Sequence, residues 1–208
     1  MVYDRVPAAR REPVIIHWLG EMFDPALAGY WGSTDLDRAS EVCLAVISAH
    51  ADRVDGIKVS LLDEQREVDL RRRLPDGIRM YTGDDFNFPT LIAGDEHGYS
   101  DALLGIFDAI APAASTALQA LDAGDTARFR EILEPAVELS RHVFKAPTFH
   151  YKPGSVFLAD TNGHQRHRRM VVGQEGMRSG AHRADACDIA ARPHHVQDPE
   201  ADRARRPR

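Results

Sequence analysis

Short apolar segments alternate with helical patterns along much of the chain, and this alternation constrains the fold more than any other feature. The pattern predicts strands at 13–20, 54–60 and 77–82, each followed by a helix or helical turn, at about 36–50, 63–73 and 88–92. Strands that alternate with helices through short connections are typical of a parallel sheet. Periodicity alone leaves that sheet either open or closed into a barrel.

Helices and then a polar tail are expected in the second part of the chain. Apolar residues recur at helical spacing over 102–121, Gly124-Asp125 interrupts them, and a second helix is predicted over 126–144. Beyond residue 162, Arg and His accumulate and no apolar stripe continues, which favours disorder. We therefore expect a disordered or linker start at 1–11, one α/β domain at 12–162, and a basic tail at 163–208.

Charge, apolar runs and cysteine content exclude several classes of protein. The net charge of −6 argues against binding to the phosphate backbone of nucleic acids. No apolar run approaches the roughly 20 residues that span a bilayer, and the first residues lack the apolar core of a secretion signal. Cys43 and Cys187 form no C-x-x-C pair, so neither a disulfide framework nor a thiolate zinc site is indicated. We expect a cytoplasmic protein without membrane or nucleic-acid partners.

No motif indicates a cofactor or a metal. The chain has neither a G-x-G-x-x-G sequence after a strand nor a G-x-x-x-x-G-K-[ST] loop. The spacing of its His and carboxylate side chains matches no diagnostic metal site. The expected chemistry therefore uses side chains alone.

Lys58 is the residue that most strongly suggests chemistry. It lies in Asp55-Gly-Ile-Lys58-Val-Ser, near the carboxyl end of a predicted strand, which is where catalytic groups project in a barrel. Burial among Val54, Ile57 and Val59 would disfavour the ammonium and leave more neutral amine to attack a carbonyl. The alternative is a strand-end lysine whose ammonium simply reaches solvent.

The order of motifs around Lys58 resembles the dihydrodipicolinate synthase and N-acetylneuraminate lyase superfamily. The shared order is Gly-Ile-Lys, then Gly-Asp-Asp after the next strand, a Gly-x-Ser loop, and helices divided by Gly-Asp. The resemblance is closer to an uncharacterised bacterial branch, a domain of unknown function, in the stretches HWLGEMFDPALAGYWGS, VDGIKVSLLD, RMYTGDDFNFP and GYSDALLGIFDAIAPAA.

This resemblance covers about residues 12–165 and implies a partial (β/α)₈ TIM barrel. It implies the C-terminal half only, about four βα units followed by C-terminal helices, with residues 163–208 disordered or out of family. A frameshifted reading frame would produce such a tail. Because half a barrel leaves two sheet edges unpaired, we expect a homo-oligomer or a complementary half barrel.

The resemblance also implies roles for individual residues. Lys58 matches the lysine that condenses with the keto group of pyruvate or a related acid. Gly83, Asp84 and Asp85 match a loop at the mouth of the site, as does Ser100 in the next loop, and these four are expected to bind substrate. Asp84 and Asp85 equally fit the cap of the following helix.

The family's catalytic tyrosine has two candidate replacements. Strand alignment favours His17, because the strand before that of Lys58 ends in His17-Trp18 where the family has its tyrosine, and an imidazole can shuttle protons near neutral pH. Spacing favours Tyr30, 28 residues before Lys58. Both residues equally fit a packing role.

The function that the resemblance implies is that of a class I (Schiff-base) aldolase or lyase. Its substrate would be a 2-keto acid or a sugar acid, and the imine on Lys58 would accept electrons from the broken carbon–carbon bond without metal or cofactor. Two alternatives stay open: a truncated, non-catalytic remnant of such an enzyme, and a metabolite-binding module.

Overall fold

The computed structural model describes residues 12–176 and 179–190 in two compact units. The first unit ends at Leu104 and the second begins at Gly105, so the boundary falls inside the predicted 12–162 domain. The predicted start at 1–11 and the tail positions 177–178 and 191–208 lie outside the described residues.

The first unit contains a four-stranded parallel sheet. Its strands are β1 (Val14–Leu19), β2 (Val54–Ser60), β3 (Arg79–Thr82) and β4 (Asp101–Ala102). They lie in the sheet in chain order, β1-β2-β3-β4, and each neighbouring pair is parallel. The predicted α/β class with a parallel sheet is therefore confirmed.

The described part of the first unit has three α-helices, and two of them begin at capping aspartates. They are α1 (Leu36–Ala49), α2 (Glu64–Arg71) and α3 (Phe88–Ala93). The Asp35 carboxylate accepts from the backbone N–H groups of Asp37 and Arg38, and Asp63 accepts from that of Arg66. Each carboxylate satisfies N–H groups that have no partner within the helix, so α1 and α2 start at fixed points.

The strand register gives the sheet two distinct faces. Ile16, Ile57 and Met80 are aligned and buried, and they form what we call the helix face. This face packs into one apolar core with α1 and α2 through Ala39, Cys43, Leu44, Ile47 and Leu70. The intervening residues point to the opposite side because side chains alternate along a strand. That side, with His17, Lys58 and Tyr81, is called the polar face.

The second unit is helical. Its helices are α4 (Ala111–Asp122), α5 (Thr126–Leu133), α6 (Ala136–Val143), α7 (Lys152–Thr161) and α8 (Gly180–Ala190). The single helix predicted over 126–144 is wrong, because α5 ends and α6 begins around Pro135. Proline has no N–H to donate, and its ring clashes with the carbonyl four residues earlier in a continuous helix.

Helix α8 lies inside the tail for which the sequence favours disorder, so the structure differs from that expectation over 180–190. Ala186, Ile189 and Ala190 are buried, and α8 packs on α6 and α7. The His182 ring stacks on His142 of α6, with ring centres 4.2 Å apart. The buried surface comes mostly from alanine and histidine, which give little hydropathy signal.

None of the helices within residues 12–176 and 179–190 has both the length and the apolar character needed to cross a bilayer.

Candidate active site

A row of polar side chains crosses the polar face near the carboxyl end of the strands. The register pairs His17 with Lys58 and Lys58 with Tyr81, and Tyr81 in turn is paired with Asp101. Residues paired in a parallel sheet point to the same side, so these side chains share one surface. Lys58 itself is half-buried.

Gly83 lies directly against the Lys58 side chain. A Cβ atom at this position would be 2.7 Å from Lys58 Cε and 2.9 Å from the Val59 carbonyl oxygen, and it would overlap Ser60 Oγ. The Gly83 N–H also donates to the Val59 carbonyl at 2.7 Å, which holds the loop close to β2. The absence of a side chain therefore leaves the space that Lys58 occupies, and the structure brings together these two predicted site residues.

His17 lies across from Lys58 and is hydrogen-bonded to Ser60. His17 Nε2 and Ser60 Oγ are 3.0 Å apart, with the imidazole as donor or acceptor according to its tautomer. Burial, with a smaller contribution in the same direction from the positive charge of Lys58, lowers the pKa of His17 to about 4. The imidazole is therefore neutral at physiological pH and can exchange a proton with the serine hydroxyl.

Ser60 is a site residue that the sequence reasoning missed. It is 3% exposed and lies two residues after Lys58 on β2. The alternation of side chains along a strand puts residues two apart on the same face, so this spacing was the available signal.

A second missed group lies toward the amino end of the same face. Arg79 Nη2 donates to both carboxylate oxygens of Asp55, at 2.7 and 2.9 Å, and the Tyr81 hydroxyl donates to Asp55 Oδ2. Burial, reinforced by the Asp55 carboxylate, raises the pKa of Tyr81 to about 12. Tyr81 therefore keeps its proton, and its ring is held across Gly56, where a Cβ atom would lie 2.7 Å from Tyr81 Cε2.

Tyr30 occupies a different part of the first unit. It lies in the segment between β1 and α1, is 50% exposed, and packs edge-on against the Trp31 ring with centres 5.5 Å apart. The strand register thus puts His17, and not Tyr30, directly across from Lys58.

Asp84 organises the turn that leads into α3. Its Oδ1 accepts from the N–H groups of Phe86 and Asn87, at 2.7 and 2.9 Å, and its Oδ2 accepts from Asn87 Nδ2 at 2.9 Å. These contacts form a turn before α3 and do not cap it, because the N–H groups that Asp84 accepts from precede the helix and its N-cap residue Asn87 makes no side-chain cap. Asp85 is 3% exposed. Substrate binding by Asp84 and Asp85 stays a prediction.

Ser100 belongs to a buried network that includes Glu67 of α2. Arg71 Nη1 donates to Ser100 Oγ at 3.3 Å, and Thr82 Oγ1, on the helix face, donates to Glu67 Oε2 at 3.1 Å. Burial raises the pKa of Glu67 to about 8, although hydrogen bonds from Ser100 and Thr82 act in the opposite direction. Ser100 therefore stabilises a buried carboxyl group in this structure, and its predicted contact with substrate stays a prediction.

The described residues contain no group of three or more His, Cys, Asp or Glu side chains placed to hold a metal ion. The chemistry that this geometry supports comes from the Lys58 amine, the neutral His17 imidazole and the hydroxyl groups beside them.

Comparison with known protein families gives a match over almost the whole chain. The model of a protein family, described as "Protein of unknown function (DUF993)", matches residues 1–207. The match includes residues 163–207, so the expectation that the family resemblance stops near residue 163 is wrong. No curated protein matches the chain at a significant level.

Proposed function

This chain belongs to the DUF993 family, and we propose that it is a class I aldolase or lyase that forms a Schiff base on Lys58. The substrate class is a 2-keto acid or a related sugar acid. The proposal extends the resemblance of the Gly-Ile-Lys and Gly-Asp-Asp motifs to the dihydrodipicolinate synthase superfamily.

The observation that carries this proposal is the setting of Lys58 between Gly83 and His17. Gly83 leaves space on one side of the lysine chain, and a neutral imidazole lies across from it on β1. An amine nucleophile needs access for a carbonyl carbon and a nearby group that moves protons at neutral pH. Gly83 gives the Lys58 side chain the room that it occupies, and the neutral His17 imidazole is the proposed group for moving protons.

The proposed reaction begins when the neutral Lys58 amine attacks the keto carbon of the substrate. The carbinolamine loses water to give an imine. A base takes the proton of the hydroxyl on the β-carbon, the bond between the α- and β-carbons breaks, an aldehyde or ketone leaves as the first product, and the electron pair of the broken bond forms an enamine on the protonated imine nitrogen. The resulting enamine takes up a proton at carbon, and hydrolysis of the imine returns the amine and the second product. The reverse sequence forms the bond. Every electron pair stays within substrate and lysine, so the scheme requires no oxidant or reductant.

His17 and Ser60 are the proposed proton relay in these steps. Carbinolamine formation and loss of water each require a proton to leave one atom and reach another. An imidazole that is neutral at pH 7 can accept a proton from the Ser60 hydroxyl while that hydroxyl exchanges with the reacting oxygen.

The sheet supports the further proposal that the first unit is part of a (β/α)₈ barrel. Its parallel strands follow one another in chain order, and α1 and α2 pack on the same face. Doubly wound open sheets instead reverse their strand order and carry helices on both faces. In this proposal the polar face is the barrel interior, and a second copy or a complementary half barrel completes the strands.

Reductive trapping tests the proposed Schiff base. The chain has three lysines, Lys58, Lys145 and Lys152, and the latter two are exposed. The protein is incubated with pyruvate, other 2-keto acids and sugar acids, reduced with borohydride, and mapped by peptide mass spectrometry. We expect an adduct on the Lys58 peptide, lost in Lys58→Met and retained in the matched control Lys145→Met.

The other outcomes separate the remaining alternatives. Labelling of Lys145 and Lys152 as strongly as Lys58 would show ordinary amine reactivity and overturn the proposal. A folded protein that binds a keto acid without any adduct would be a metabolite-binding module, and one that does neither would be a non-catalytic remnant.

A further inference from the structure

A cleft of about 180 Å³ lies beside the segment that connects β1 to α1. It is lined by Trp18 and the residues that follow β1, by the start of α1, and by Leu61 and Asp63 after β2. Trp18 neighbours the helix face residue Ile16 in the same core, so this cleft is on the side opposite His17 and Lys58. The proposed Schiff-base chemistry makes no use of it.

Three aromatic rings with different orientations form much of its lining. Trp18 and Trp31 have ring centres 5.7 Å apart at an interplanar angle of 58°. Tyr30 meets Trp31 nearly at a right angle, at 86°. The two indoles are 4% exposed and Tyr30 is 50% exposed, so the indoles form the floor and the phenol forms the rim. The exposed phenol of Tyr30 is therefore the ring best placed to contact a ligand, and the face of an aromatic ring attracts an organic cation.

The charged groups in the lining are all acidic. Glu21 and Asp63 contribute carboxylates, Ser33 and Thr34 contribute hydroxyls, and the lining residues include neither lysine nor arginine. Arg66 lies 3.8 Å from the Asp63 carboxylate, but the Asp63 side chain is still 49% exposed. A cleft with negative charge at its edge and aromatic rings within it favours a cation over a neutral or an anionic ligand.

We propose that this cleft binds a small organic cation, a primary or quaternary ammonium with a short apolar body. The ammonium lies against the rings of Tyr30 and Trp31 with Glu21 beside it, and the apolar body contacts Leu27, Leu36 and Leu61. The site is independent of Lys58, so the ligand is expected to bind Lys58→Met as tightly as the unaltered protein.

Tryptophan fluorescence reports on this cleft directly, because Trp18 and Trp31 are the only tryptophans in the chain. The protein is titrated with choline, with its uncharged carbon isostere dimethylbutanol, and with butyrate. We expect a saturable change with choline, binding at least fivefold weaker with the isostere, and no saturable change with butyrate.

Substitutions then locate the site. Tyr30→Leu keeps the apolar size but removes the ring, and should weaken choline binding at least fivefold. Glu21→Gln, at an exposed position that folding does not depend on, should weaken it about twofold to fivefold. The matched control is Tyr99→Leu, at a tyrosine 64% exposed and outside the cleft, which should have no effect. Equal binding of choline and its isostere, or equal affinity in Glu21→Gln and Tyr99→Leu, would overturn the proposal.

Discussion

The helix face and the polar face of the sheet differ in chemistry although their residues alternate along the same strands. On β2, Ile57 and Val59 are buried in the apolar core, while Lys58 and Ser60 between and after them carry polar groups. Each face also has ionisable groups with strongly shifted pKa values, among them Glu67 beside the helix face and His17 on the polar face.

This difference separates residues that hold the fold from residues available for chemistry. Apolar burial on the helix face stabilises the sheet in proportion to the area removed from water. The polar face contributes few apolar contacts in the first unit, so its side chains can be arranged for another purpose. Substitution on the helix face should therefore lower the free energy of unfolding, whereas substitution of the neighbouring residue on the polar face should change the chemistry and leave stability nearly unchanged.

The largest effect on stability is expected from Ile57→Ala, with Lys58→Met as its neighbour and control. Ile57 is fully buried in the core, so its truncation leaves a cavity and should lower the free energy of unfolding by about 2–4 kcal/mol. Lys58→Met should change it by less than about 1 kcal/mol while abolishing the trapped adduct. Urea unfolding of both variants measures this, and equal losses would contradict the division into two faces.

The next largest effect on stability is the pH dependence of the free energy of unfolding that Glu67 causes. Its pKa rises from 4.5 to about 8 in the folded protein, so the folded state holds a proton that the unfolded chain releases between these values. The free energy of unfolding therefore falls as the pH rises through this window, by on the order of a few kcal/mol.

Glu67→Gln should remove this dependence and be more stable than the unaltered protein at pH 9. Urea unfolding at pH 5, 7 and 9 measures the slope. If the free energy of unfolding changed with pH by the same amount in both proteins, Glu67 would be shown to be ionised in the folded state.

A smaller effect on stability, with a large effect on chemistry, is expected from Gly83→Ala. The added methyl would meet Lys58 Cε, Ser60 Oγ and the Val59 carbonyl oxygen. Displacement of the loop should cost about 1–2 kcal/mol and slow reductive trapping at least tenfold. Gly180→Ala is the control, since a methyl there meets nothing within 4 Å. Trapping at an unchanged rate in Gly83→Ala would show that Lys58 does not need this space.

The smallest effect concerns the imidazole of His17. Its NMR titration should have a midpoint near pH 4, and in Lys58→Met the midpoint should move part of the way toward 6.5, because burial remains and only the lysine charge is removed. Acidification from pH 6.5 to 4 should destabilise the protein through this group by less than about 1 kcal/mol, since the imidazole is only partly shielded from solvent and the residue as a whole is exposed. If the midpoint were unchanged in Lys58→Met, the lysine charge would be shown to have no effect on the pKa of His17.

The sequence was sufficient for three of the four strands, because each of these three carries its own local signal. The strands predicted at 13–20, 54–60 and 77–82 correspond to β1, β2 and β3, whereas β4 is only two residues long and was not predicted. The break at Pro135 was missed because the apolar period continues across it. Helix α8 was missed because most of its buried residues are alanine and histidine, which give little hydropathy signal.

The candidate site was only partly predictable, since strand register decides which residues meet. Lys58, His17 and Gly83 come together as their strand-end positions imply. The partnership of Ser60 with His17 depends on pairing between residues 43 positions apart, and the anchoring of Tyr81 on Asp55 depends on a local irregularity in the strand. Neither appears in a single-strand pattern.

That irregularity, a shift in the pairing of β1 with β2 at Val14 and Ile15, bears on how the chain can change during evolution. Asp55 is the extra residue at the shift, and from Gly56 onward the pairing is regular through Ser60. A residue gained or lost before Gly56 can be absorbed there without changing which side Lys58 faces. One gained or lost between Gly56 and Lys58 would reverse the sides of Ile57 and Lys58, placing a charge in the core. Length variation among descendants of this sequence is therefore expected before Gly56 and excluded just after it.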